Sequence, residues 1–294
     1  MGMTNELGQQ WTQRGTAAAS GKLSLGPLDG PSLLKPAIDC MHPTLFHLGH
    51  FTVPTFGALA AAGLVCALWL SFQTATPAGL NPEALWDAGF FTVLSALILS
   101  RLLLVITNLK SFFSYPLLIL ALPSLTSTGL LLTLIAAVVY LKMRRIPLLR
   151  ALDAWAPCAT VAWAFLALGH LAEGSDPGLP ATIPWSILSP TGGARLHPVA
   201  LYAAIAAVLI TIALLVCLSR HPLPGRTAVF ALAASGIAQF LITFFRHPTD
   251  ALDADPRSLT NVLDPIQWVS LAMVFAAAII FLQTLTVTPE RHAV

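Results

Sequence analysis

The sequence predicts an all-α, polytopic integral membrane protein with about seven transmembrane helices, its N-terminus outside and its C-terminus in the cytoplasm. Three observations lead there. Of 294 residues, 56% are hydrophobic and only 10% are charged, where a soluble domain carries about 25% charged residues. Mean hydropathy is +0.78. Apolar stretches of about 20 residues, the length that crosses the hydrocarbon core as a helix, recur along the chain.

These stretches are 53–72, 88–107, 117–141, 151–171, 198–218, 227–245 and 265–286. Gly, Pro and Ser interrupt several of them, as membrane helices tolerate. The third carries Pro123 followed by Ser124 to Gly129, and reads equally as a re-entrant segment or a Pro-kinked span. Residues 1–40 lack a long apolar run and are rich in Gly, Ser, Pro and Gln. They are expected to be a disordered or mis-annotated extension, with translation from Met41 as one reading, and they hold no secretory h-region. The membrane domain is expected over 41–288, with 289–294 as a cytoplasmic tail.

Loop charges set the direction. Lys142, Arg144, Arg145, Arg150, Arg220, Arg226 and Arg291 fall on one side. Lys110, Arg195, Arg246 and Arg257 fall on the other. The first group marks the cytoplasmic face, which leaves the loop at 172–197 as the largest outer one.

A net charge of only +2 argues against nucleic acid as a partner, which would need a basic face. Cys40, Cys66, Cys158 and Cys217 form no CxxC pair and read as packing residues rather than a disulfide framework or zinc site. The sequence holds no GxSxG, HExxH, P-loop or GxGxxG pattern, and no internal repeat of the kind transporters use.

An ionisable side chain within an apolar span is a functional candidate by default. Arg101 is the clearest, with snorkelling to the interface as the alternative. His170 and Glu173 lie three apart and share a helix face, as an acid–base pair or as a polar helix end. His197 opens the fifth span with Tyr202 just inside it, and Arg246 closes the sixth. Arg101, Arg195, Arg246, His170 and His197 all lie toward the outer face in this orientation, an array suited to an anionic phospholipid headgroup. Asp250, Asp253 and Asp255 read as a solvated loop.

Longer motifs carry a resemblance. Residues 41–57 read MHPTLFHLGHFTVPTFG, and 184–202 read PWSILSPTGGARLHPVALY. Phe244-Phe245-Arg246-His247-Pro248 closes the sixth span, Ser100-Arg101 lies in the second, and Asp153 with Ala156-Pro157 in the fourth. Together with Gln267, these resemble the prolipoprotein diacylglyceryl transferase family over about 41–288. The resemblance implies transfer of a diacylglyceryl group from phosphatidylglycerol to the lipobox cysteine of a prolipoprotein in the bacterial inner membrane, without metal or organic cofactor.

Set against the family, the chain departs at several polar positions. Ala167, His170 and Glu173 stand where the family has an arginine and two asparagines. Ser235, Gln239 and Thr243 replace a Tyr, an Arg and a Glu, Thr128 takes the place of a histidine, and Phe56 that of a Tyr. The expected site takes His170, Glu173 and His197 as catalytic candidates and Arg101, Arg195, Tyr202, Gln239 and Arg246 as candidates for holding the substrate. Two alternatives stay open: a relative that binds phospholipid or lipoprotein without catalysis, and a membrane enzyme with different lipid chemistry.

Overall fold

The computed structural model describes residues 44–48, 51–108, 127–176, 178–188, 195–220, 223–246 and 263–286. The readings made above for 1–40, for the re-entrant alternative in 117–126 and for Asp250, Asp253 and Asp255 lie outside them.

Seven helices run through the described residues: α1 (Thr55–Ala75), α2 (Pro82–Thr107), α3 (Ser127–Met143), α4 (Leu148–Glu173), α5 (Val199–Ser219), α6 (Arg226–Thr243) and α7 (Pro265–Thr286). Six are long and apolar enough to cross a membrane, and α3, with 17 residues, is shorter. This is an all-α polytopic membrane protein. A hairpin of β1 (Thr44–Leu48) and β2 (Phe51–Pro54) leads into α1. Two further short strands, β3 (Ile187–Leu188) and β4 (Arg195–Leu196), pair antiparallel between α4 and α5.

The helix limits follow local chemistry. The second predicted stretch began at 88, but α2 starts six residues earlier. Asn81 accepts a bond from the Glu83 amide and Pro82 occupies the first turn, a pairing that favours a helix start regardless of hydropathy. At the far end of α4, Gly174 turns the chain with φ 66°, the left-handed cap that glycine takes at little cost. Hydroxyls inside the helices bond back to their own carbonyls: Ser71 to Leu68, Thr74 to Leu70 and Thr133 to Gly129. No water is available in hydrocarbon to do this for them.

α4 is the spine, packing against α1, α5 and α6. Its buried positions are almost all small: Ala151, Ala154, Ala156, Ala164, Ala167 and Gly169. Lipid tails remove the hydrophobic drive between helices, so close backbone approach takes over as the source of contact. Gly63 on α1 shows how close. A Cβ there would stand 2.5 Å from Cβ of Phe165. Large side chains such as Val65, Trp69, Ile98, Leu130 and Phe275 are exposed on the outside of the bundle, where lipid would cover them.

Among the polar contacts that cross between spans, two stand out. Thr160 on α4 meets Thr211 on α5 at 2.8 Å, both buried. Asp153, 3% exposed, accepts from the amides of Gly225 (2.5 Å) and Ala228 (2.8 Å) at the start of α6. A carboxylate from one helix thereby caps the positive end of another.

Replacing Gly63 by valine is expected to lower stability by about 1–3 kcal/mol through overpacking. Thermal unfolding of the full chain in detergent should report the loss. Phe165→Ala in the same background should recover part of it.

Candidate functional site

The described residues between α4 and α5, 174–176, 178–188 and 195–198, form a strap over one end of the bundle. The chain turns at Gly174, and the Ser175 amide donates to the His170 carbonyl. The segment 178–181 then runs as a middle strand. On one side the Leu179 amide donates to Phe245 at 2.9 Å, and Gly178 bridges Arg246. On the other, the His197 amide donates to Leu179 (2.9 Å) and the Ala181 amide to Arg195 (2.8 Å), while Pro180 bridges Leu196. A Cβ on Gly178 would run into the His197 carbonyl, so this register requires glycine. The strap therefore stitches the entry of α5 to the exit of α6.

Side chains gather on that frame. Trp185 Nε1 donates to the Tyr202 hydroxyl at 3.1 Å, and the same hydroxyl lies 3.2 Å from His197 Nδ1. The Phe245 ring packs against both, with centroids 5.3 Å from His197 and 5.7 Å from Tyr202. Arg246 donates from Nη2 to Asp176 Oδ2 at 2.6 Å, the two side chains being 25% and 17% exposed. Its Nε is buried with no hydrogen-bond partner among the described residues, and so is the Ser186 hydroxyl. Arg195 lines an open cleft of about 590 Å³ together with Pro180, Ala181 and Thr182. It forms no ion pair among the described residues.

The remaining expected site residues are placed as follows. His170, in the last turn of α4, bonds Ser175 Oγ through Nδ1 at 2.8 Å and packs on Phe56 at 4.9 Å between centroids. Glu173 is exposed and makes no hydrogen bond or ion pair among the described residues, so it is not hydrogen-bonded to His170. Gln239 lies half-buried on α6, one turn before Thr243. Arg101 sits on α2, which packs against α1 and α3. Its Nη1 is buried without a hydrogen-bond partner among the described residues. The structure thus joins His197, Tyr202 and Arg246 through Phe245 and the strap. Arg195 lies on the same strap, and among the described residues no side-chain hydrogen bond or ion pair links Arg101, Glu173 or Gln239 to it.

Sequence reasoning missed three members of this cluster. Asp176 was not among the expected site residues, yet it holds Arg246 from 70 positions away. The signal was there: a buried-end arginine needs an acid, and Asp176 and Glu173 are the acids beside the end of α4. Trp185 and Phe245 were seen only as parts of motifs, and no local pattern indicated that they would meet Tyr202 and His197.

Residues 43–283 match the family described as prolipoprotein diacylglyceryl transferase. A phosphatidylglycerol–prolipoprotein diacylglyceryl transferase of Geobacter sulfurreducens is 28% identical over 231 residues, covering 75% of this chain and 89% of that protein. Proteins of the same name from Idiomarina loihiensis and Clostridium tetani are 28% and 23% identical. They align with 84% and 82% of this chain and with 94% and 97% of their own lengths.

Breaking the strap's ion pair has a definite expected cost. Asp176→Ala should destabilise the chain by about 1.5–3 kcal/mol, the range for hydrogen bonds to charged groups. In limited proteolysis, cleavage between 174 and 198 should accelerate, and the double variant with Arg246→Ala should be no worse than either single one.

Proposed function

The chain belongs to the prolipoprotein diacylglyceryl transferase family, and we propose that it transfers the diacylglyceryl group of phosphatidylglycerol to the lipobox cysteine of a prolipoprotein. The strap end of the bundle carries the reaction, on the extracytoplasmic side of a bacterial inner membrane. The observation that supports this reading most is the linked set Trp185, Tyr202, His197 and Arg246, built onto the end of an otherwise apolar bundle.

The chemistry is a substitution at carbon. The acceptor thiol loses its proton, and the thiolate attacks the diacylglyceryl carbon bonded to the phosphate oxygen. A C–S bond forms as the C–O bond breaks. Glycerol phosphate leaves with the electron pair. Two tasks fall to the protein: taking the thiol proton and stabilising the phosphate as charge builds on the leaving oxygen.

Trp185 Nε1 can only donate, so the Tyr202 oxygen accepts from it. With the Tyr202 proton directed at His197 Nδ1, the ring keeps its own proton on Nε2. That nitrogen becomes a donor suited to a phosphate oxygen, and the tautomer is set by its partners. Arg246, with an unused Nε, and Arg195, at the open cleft, supply positive charge. His170 is the base in this scheme, with Ser175 orienting its ring. Arg101, Glu173 and Gln239 are assigned supporting contacts to the headgroup or acceptor.

A second reading rests on the Arg246–Asp176 pair. With its charge already answered at 2.6 Å, Arg246 would hold phosphate less strongly, which favours a relative that binds phospholipid or lipoprotein without transfer.

Expression in cells depleted of their own transferase separates the two. A reporter prolipoprotein is expected to gain one diacylglyceryl group, read by mass spectrometry. His197→Ala should lower the rate about 100-fold or more, as for loss of a hydrogen-bond donor that stabilises charge on the leaving phosphate. An unmodified reporter, with the protein present in the membrane, would sink the transferase reading.

A further inference from the structure

A large cavity lies at the opposite end of the bundle from the strap. It is a groove of about 980 Å³ between α5 and α7, with α6 as its floor. α6 contacts both neighbours. The volume is in the upper part of the range for a bound organic ligand, roughly 300–1,000 Å³. Val216, Phe230, Val274 and Ala278 are among its apolar walls, and Arg220 and Arg226 stand at its mouth. α5 has 21 residues, so this mouth is about 30 Å from His197 along the helix axis.

We propose that this groove is a binding site for an anionic phospholipid, separate from the transfer site, with one acyl chain along α6 and the phosphate between Arg220 and Arg226. Three features select that ligand. The walls belong to membrane-spanning helices, so the occupant must be apolar along most of its length. Both arginines are exposed and make no ion pair among the described residues, so the occupant must carry negative charge at one end. The same end carries Lys142, Arg144 and Arg145, the positive loops expected to face the leaflet rich in anionic lipid.

A zwitterionic lipid of the same chain length would fill the walls but lose the charge match. Two surface cations, at about 1 kcal/mol each, correspond to a preference of roughly thirtyfold.

Photoactivatable phosphatidylglycerol and phosphatidylcholine, each with the reactive group on an acyl chain, provide the test. The full chain is placed in phosphatidylcholine vesicles, and labelled peptides are mapped by mass spectrometry. Labelling of the C-terminal half of α5, the N-terminal half of α6 and α7 is expected from the phosphatidylglycerol probe. It should exceed that from the phosphatidylcholine probe at least tenfold. R220Q/R226Q and, independently, Ala278→Phe should each remove most of it. R144Q/R145Q should leave it unchanged, and labels near the strap report the transfer site instead. Equal labelling by both probes, persistence in R220Q/R226Q, an equal loss in R144Q/R145Q, or cross-links between two copies of the chain in place of lipid would each overturn the proposal.

Discussion

The ion pair between Arg246 and Asp176 decides how the polar end of this molecule is built. A guanidinium at the exit of an apolar helix must find an acid or water. Here it finds a carboxylate from the turn that follows α4, at 2.6 Å. That contact, with the main-chain bonds of Leu179 and Gly178 beside it, fixes the strap on α6. The strap in turn fixes the entry of α5, and hence the distance between His197, Tyr202 and Phe245. Loss of the pair would free more than a charge. It would loosen the one segment that ties three helix ends into a site.

Hydrocarbon imposes the complementary constraint on the rest. Within the spans, hydroxyls bond to their own helix and the helices approach through alanine and glycine. The polar groups that remain are few and linking, such as Thr160 with Thr211 and Asp153 at the start of α6. Chemistry is therefore pushed to the two ends, and the ends differ. One carries the strap, with its histidines, tyrosine and arginines. The other carries most of the loop cations and the groove beside Arg220 and Arg226.

Helices were legible because their signal is length and hydropathy, both properties of the unbroken run. Six of the seven expected stretches correspond to helices long enough to span, with ends shifted where capping outweighs hydropathy, as at Asn81 and Pro82. Of the third, the described part is helical as α3 (127–143), and 117–126 lie outside the described residues. His197, Tyr202 and Arg246 were legible as polar residues at span ends. Their mutual arrangement was not. It depends on a short middle strand without hydrophobic alternation, and on an acid whose partner is 70 residues away. The expected pairing of His170 with Glu173 relied on helical spacing alone. The strap supplies Ser175 to the histidine and leaves the glutamate in the open.

The central claim is that this polar end performs a balanced transfer rather than holding lipid. The most direct measurement uses the purified full chain with phosphatidylglycerol and a synthetic lipobox peptide. Both products are followed together: the thioether on the peptide cysteine and the glycerol phosphate released. The account predicts that they appear in equal amounts and that neither forms without the other. Phospholipid that stays bound to the protein and intact, with the peptide thiol free throughout, would contradict it.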